Sequence, residues 1–67
     1  MILITVNGKP ERLDTTLTLK RYMELHGVAL LHIAIARNGV VLRHDEMEGI
    51  TLSDGDWLEI VHAVGGG

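Results

Sequence analysis

The chain has no cysteine and no phenylalanine, one proline, and two aromatic residues, Tyr22 and Trp57, in 67 positions. Without cysteine there can be no disulfide, thiol nucleophile, thiolate zinc site or iron–sulfur cluster. A chain this short without disulfides reads as cytosolic rather than secreted, and the expected compartment is the cytoplasm. Met1 leads straight into Ile2-Leu3-Ile4-Thr5-Val6, with neither the basic start nor the apolar stretch of a signal peptide. The apolar runs are too short for a membrane span. With so few aromatics, the core must be built from Ile, Leu, Val, Ala and Met.

Sixty-seven residues with 46% hydrophobic content form one folded domain and exclude intrinsic disorder. A domain of this size buries only about 60% of the surface its unfolded chain exposes. Ligand clefts occupy roughly 300–1,000 Å³, so a core this thin should not enclose one. Any chemistry is expected at the surface, at a terminus or inside a partner. The net charge of −3 is unevenly spread: residues 1–44 sum to +3 and residues 45–67, which lack Lys and Arg, to −6. The acidic part is either a solvated rim or a docking surface for a basic partner.

Two Asn-Gly pairs, Asn7-Gly8 and Asn38-Gly39, predict hairpins, because the favoured two-residue turn needs φ > 0 at both central positions. The first joins Ile2–Val6 to a strand from Pro10 to Asp14. The second joins Ile33–Arg37 to Val40–Arg43. Between the hairpins, Leu19, Tyr22, Met23 and His26 fall on one helical face. Thr18 is placed to cap that helix, Leu17 to pack on Tyr22, and Gly27 to end it. His44–Ile50 reads as a loop or a single helical turn, Ser53–Asp56 as a tight turn, and Trp57–Val61 as the last strand. Its best place is between the two hairpins, against the first strand. The fold class is α+β: a β-grasp, or ubiquitin-like, arrangement of a mixed sheet of about five strands with one helix packed across it. Residues 1–61 would form this domain, and residues 62–67 a flexible arm reaching roughly 20 Å.

No metal site is expected. His26, His32, His44 and His62 lack H-x3-H or H-E-x-x-H spacing. Asp54 and Asp56 flank Gly55 in a turn, where aspartates bond locally. Ser53 has no histidine beside it in sequence. There is no phosphate loop, no basic stripe and no set of stacking aromatics, which argues against nucleic-acid binding. His62 either begins the arm or is a solvated residue beside the last strand.

The ending Gly65-Gly66-Gly67 has two readings, a disordered terminus or the working part. The second has a mechanism. A terminal carboxylate, with a pKa of about 3.5, is ionised and a poor acyl donor. Joining it to AMP as a mixed anhydride makes it reactive toward a sulfur or amine nucleophile. An arm without side chains can thread the narrow channel of an activating enzyme.

The run from Asp54 to Gly67, D-G-D-W-L-E-I-V-H-A-V-G-G-G, resembles the ending of the ThiS sulfur carriers of thiamine biosynthesis. The opening Ile4–Gly8, the short helix after a threonine and the Ala34–Gly39 segment are similar to that family too, so the resemblance covers nearly the whole chain. It implies that a ThiF-type enzyme uses ATP and magnesium to adenylate the carboxylate of Gly67. A persulfide donor would then supply sulfur to form a thiocarboxylate, which a ThiG-type thiazole synthase would consume. Gly66 and Gly67 match the family's terminal pair, and Val64, Gly65 and Gly66 would form the partner-binding tail. The chain would bind no cofactor and have no active site of its own. Tyr22 and His26 stand where leucines are common, and Arg37 where an apolar residue is frequent. Other readings are a MoaD-like or other Gly-Gly sulfur carrier, or a ubiquitin-like module binding through a sheet face that carries Trp57 and Val61.

Overall fold

The computed structural model describes residues 1–62. Strands β1 (Ile2–Val6) and β2 (Lys9–Leu13) form the first hairpin, and helix α1 (Leu19–Leu25) follows. A 3-10 turn at Leu30–His32 leads into β3 (Ile33–Arg37) and β4 (Val40–Val41), then α2 (His44–Met47) and β5 (Trp57–His62). The five strands make one sheet in the order β2-β1-β5-β3-β4. The last strand is central: it pairs parallel with β1 and antiparallel with β3. This is the β-grasp arrangement expected from the sequence.

Local chemistry explains the turns. Asn7 and Gly8 have φ of 50° and 82°, and Asn38 and Gly39 have 52° and 85°. These left-handed values suit asparagine and glycine, and their twist matches that of the flanking strands. Pro10 lies on β2, an edge strand, where its missing donor breaks no inner ladder. Thr18 caps α1 by accepting from the Arg21 N–H at 3.1 Å. At the other end the Gly27 and Val28 N–H groups donate to Glu24 and Met23 carbonyls at 2.9 and 3.0 Å, a Schellman stop.

The core lies between one face of the sheet and α1. Ile4, Leu19, Ile33, Ile35, Met47, Leu52 and Leu58 are fully buried, with Leu13, Tyr22 and Met23 beside them. Leu17 packs against this cluster from its rim. Two of these residues come from stretches with no clear pattern in the sequence. Met47 closes α2, whose start is capped by Glu46 accepting the Arg43 N–H at 2.8 Å. Leu52 is held by its N–H to the Leu17 carbonyl, at 2.8 Å.

Three details depart from expectation. The second hairpin's return strand is only two residues long. β5 runs to His62, paired opposite Ile33, one residue past the expected end of the last strand at Val61. The third concerns cavities. An open groove of about 680 Å³, within the size range of ligand clefts, lies between α1 and the first hairpin. The helix has seven residues and spans about 10 Å, so it leaves the far end of the sheet uncovered.

Candidate functional site

The expected tail, residues Val64, Gly65, Gly66 and Gly67, lies outside the described residues. What the structure defines is its base, strand β5, and the two ends of that strand are held by different means.

At its start, Asp56 is 6% exposed and nearly encircled by donors. Its carboxylate accepts from the Ser53 N–H at 2.8 Å, from Arg37 Nη2 and Nε at 3.0 and 3.2 Å, and from Asn38 Nδ2 at 3.2 Å. Burial alone would raise the pKa of this carboxyl, but those hydrogen bonds and the guanidinium charge outweigh it and hold the group below the usual carboxylate range. Asn38 Oδ1 accepts the Trp57 N–H at 2.9 Å. Asp54 accepts the Leu3 N–H at 2.7 Å, and the Asp56 carbonyl accepts the Thr5 N–H at 2.9 Å.

The Asp-Gly-Asp turn thus does more than bond locally, as its sequence suggested. It joins β1, the second hairpin and β5. Arg37 is the charged partner that compensates the burial of Asp56. Among the described residues no group of three or more histidines and carboxylates could hold a metal ion.

At the other end, β1 leaves β5 early. The last pair is Val6 with Leu58, closed by the Asn7 N–H donating to the Leu58 carbonyl at 2.9 Å. The side chain of Asn7 then supplies one more link. Its Oδ1 accepts the Ile60 N–H at 2.8 Å, and its Nδ2 donates to the Ile60 carbonyl at 3.1 Å. The sequence marked Asn7 only as a turn residue. The second role leaves no local signal, because its partner is 53 residues away.

Trp57 and Val61 both face away from α1, on the open side of the sheet, and are 46% and 62% exposed. They do not touch as neighbours: four residue steps along the strand put them about 13 Å apart, with exposed Glu59 on the same face between them. Leu3 and Ala34 alternate with buried residues in the same way and extend this face. Met1, Val40 and Val41 are also exposed apolar residues.

The groove is lined by Asn7, Lys9, Glu11, Tyr22, His26 and His62, among others. The Tyr22 hydroxyl donates to Glu11, and His26 lies 3.7 Å from the same carboxylate with its ring 4.6 Å from that of Tyr22. Burial, reinforced by the neighbouring carboxylate, pushes the Tyr22 hydroxyl above the usual phenol range, so it stays protonated. Sequence reading noted Tyr22 and His26 as departures but did not bring Glu11 to them, since it sits on a different element. His44 is spent structurally, with Nε2 3.0 Å from the Ile33 carbonyl.

The chain matches the model of the ThiS family over residues 4–67. It is similar to the crystal structure of a thiamine biosynthesis protein (ThiS) from Geobacter metallireducens, with 32% identity and a TM-score of 0.80, covering 98% of this chain and all of that one. A solution structure of a thiamine biosynthesis protein from the same organism has 32% identity and a TM-score of 0.78, covering 98% of this chain and 88% of that one. A thiazole synthase of Magnetococcus marinus is 31% identical over 64 residues, which make up 96% of this chain. This chain spans 20% of the length of that relative.

Proposed function

This chain belongs to the ThiS family, and we propose from that membership that it is a sulfur carrier of thiamine biosynthesis whose working part is the Val64–Gly67 segment. The family match reaches Gly67, and this single observation carries the reading. In it, a ThiF-type enzyme uses ATP and magnesium to join the Gly67 carboxylate to AMP, releasing pyrophosphate. A persulfide sulfur then displaces AMP, and thiol cleavage of the resulting acyl disulfide leaves a thiocarboxylate. A ThiG-type thiazole synthase takes the sulfur and returns the carboxylate. The match of this chain to part of a relative named thiazole synthase supports that choice of consumer.

The chain's own contribution is presentation. It is the substrate in each step, it binds neither the nucleotide nor the metal, and it would work in the cytoplasm with its partners. The tail can enter a narrow channel because Gly65, Gly66 and Gly67 carry no side chains. The acidic stretch with Asp45, Glu46 and Glu48 would help it dock by steering toward a basic surface, an effect that weakens with salt.

The test is intact mass after incubation with a ThiF-type enzyme, ATP, magnesium and a persulfide donor. The expected gain corresponds to one sulfur replacing one oxygen, and removal of Gly66-Gly67 abolishes it. No gain, with the enzyme active on its own carrier, would sink the reading.

One observation favours a second reading. Trp57 and Val61 leave an apolar sheet face open, as a ubiquitin-like binding module would. A module of that kind keeps its partner when Gly66-Gly67 is removed, whereas a carrier loses its chemistry.

A further inference from the structure

We propose that Asn7 is a positioning residue for the tail: its side-chain amide extends the β1–β5 ladder by one rung and fixes the direction in which the chain leaves the sheet. The proposal rests on the carrier reading above for its functional half, and on geometry alone for its structural half.

β5 begins as a central strand and ends as a one-sided one. On its β3 edge the pairing continues to His62, opposite Ile33. On its β1 edge the pairing ends at Leu58, because β1 turns back at Asn7-Gly8. From Glu59 onward, the partner that the first hairpin offers on that edge is the Asn7 carboxamide. A carboxamide has the donor and acceptor of a peptide unit. Asn7 uses both on one residue, accepting from the Ile60 N–H at 2.8 Å and donating to the Ile60 carbonyl at 3.1 Å.

The alternation of an antiparallel pair sharpens the point. Opposed residues take turns between exchanging hydrogen bonds and not doing so. The Ile60 backbone groups go to Asn7, so the Ile60–Ile35 pair is the non-bonded kind. The flanking pairs, Glu59–Ala36 and Val61–Ala34, are then the bonded ones. Asn7 therefore holds Ile60 independently of β3. Without it, the segment just before the tail is fixed along one edge only and can swing about the β3 ladder. A looser Ile60 loosens the base from which the following residues start. An activating enzyme would have to select the productive direction from a wider set, which appears as weaker apparent affinity rather than slower chemistry.

Asn7→Gly is the clean variant. Glycine keeps the positive φ of the turn at no steric cost and removes only the side chain. Asn7→Asp keeps an acceptor for the Ile60 N–H but puts a second acceptor against the Ile60 carbonyl. Asn38→Gly is the control: it makes the same change in the same turn position, at the end of β5 far from the tail.

Two readouts are needed. In amide hydrogen exchange of the full chain, Asn7→Gly should lower protection at Ile60 by about tenfold, the equivalent of 1.4 kcal/mol, while Glu59 and Val61 keep theirs. Asn7→Asp should fall between. In thiocarboxylation by a ThiF-type enzyme, KM for the carrier should rise several-fold in Asn7→Gly with kcat unchanged, and Asn38→Gly should leave KM alone.

Unchanged protection at Ile60 would overturn the structural half. A looser Ile60 with unchanged KM, or an Asn38→Gly variant that raises KM equally, would overturn the positioning role. A parent chain that never gains sulfur would sink the carrier reading and the tail assignment with it. The exchange result would still tell whether the rung exists.

Discussion

The two ends of β5 are held by the same residue type in the same kind of turn, yet by different physics. Asn38 and Asn7 are each the first central residue of an Asn-Gly hairpin, with nearly equal φ. Asn38 belongs to a part-buried, charge-compensated network that includes Asp56 and Arg37. Among the described residues, the Asn7 side chain has only neutral hydrogen bonds to one residue's backbone. Charge-assisted bonds to a buried carboxylate are strong and hard to replace, whereas neutral bonds near solvent contribute less. The strand is thus anchored where it enters the sheet and lightly held where it leaves. The gradient puts the stronger bonds at the start of β5 and the weaker ones at its end.

The largest effect should come from cutting the anchor. Asp56→Asn keeps the shape but removes the charge facing Arg37. It should cost about 1.5–3 kcal/mol, the range for hydrogen bonds to a charged group. In a domain this small that lowers Tm by roughly 10–20 °C, measured by thermal unfolding. The pH dependence gives a second check. The folded carboxyl lies below its unfolded value, so the unfolded chain binds the proton first as pH falls. The stability from Asp56 is complete well above about pH 4, the unfolded carboxyl value, and disappears as pH drops through the folded one. Asp56→Asn should have a flatter acid limb. An unchanged limb would mean that other carboxylates set it and that the anchor is weaker than its geometry.

A smaller effect is expected beside the groove near the other end. Tyr22→Phe removes a hydroxyl that donates to Glu11 and should cost about 1 kcal/mol. The titration is the mirror image of that of Asp56. The Tyr22 hydroxyl stays protonated in the fold beyond the pH at which the unfolded phenol ionises. Its stabilising effect is complete below about pH 10 and declines above it. Unfolding midpoints from pH 8 to 11 should show the parent losing ground to Tyr22→Phe at the alkaline end. The acid limb would then report on the start of β5 and the alkaline limb on the contact between α1 and β2.

Local signals in the sequence were enough for most of the fold. Asn-Gly turns, a threonine cap and a four-residue helical face place the first hairpin, α1 and the start of the second hairpin. The need to bury an apolar last strand puts β5 in the middle. The misses have a common cause. Met47 lies in a stretch dominated by charge, and its burial depends on what α2 packs against. The Arg37–Asp56 pair spans 19 residues and the Asn7–Ile60 link 53, so neither leaves a periodic trace. The groove beside α1 follows from the difference in length between helix and strands, and no single segment encodes it. Asn7 was legible as a turn residue, but its bonds to Ile60 were not.

The smallest effect isolates burial as the origin of the contrast. Lys20 and Glu48 form an ion pair at 3.3 Å, close to the 3.0 Å of Arg37 and Asp56. Their side chains are 54% and 68% exposed, against 26% and 7% for the inner pair. Water already solvates both outer charges, so pairing them gains little beyond the entropy cost of holding two long side chains still. Lys20→Gln should therefore change stability by less than about 0.5 kcal/mol. What effect it has should vanish in high salt, where exposed charges are screened. The two variants, Lys20→Gln and Asp56→Asn, each remove one charge from a pair of similar length. If chemical denaturation in low salt found them equally costly, distance alone would set the strength, and the gradient along β5 would have no basis in burial.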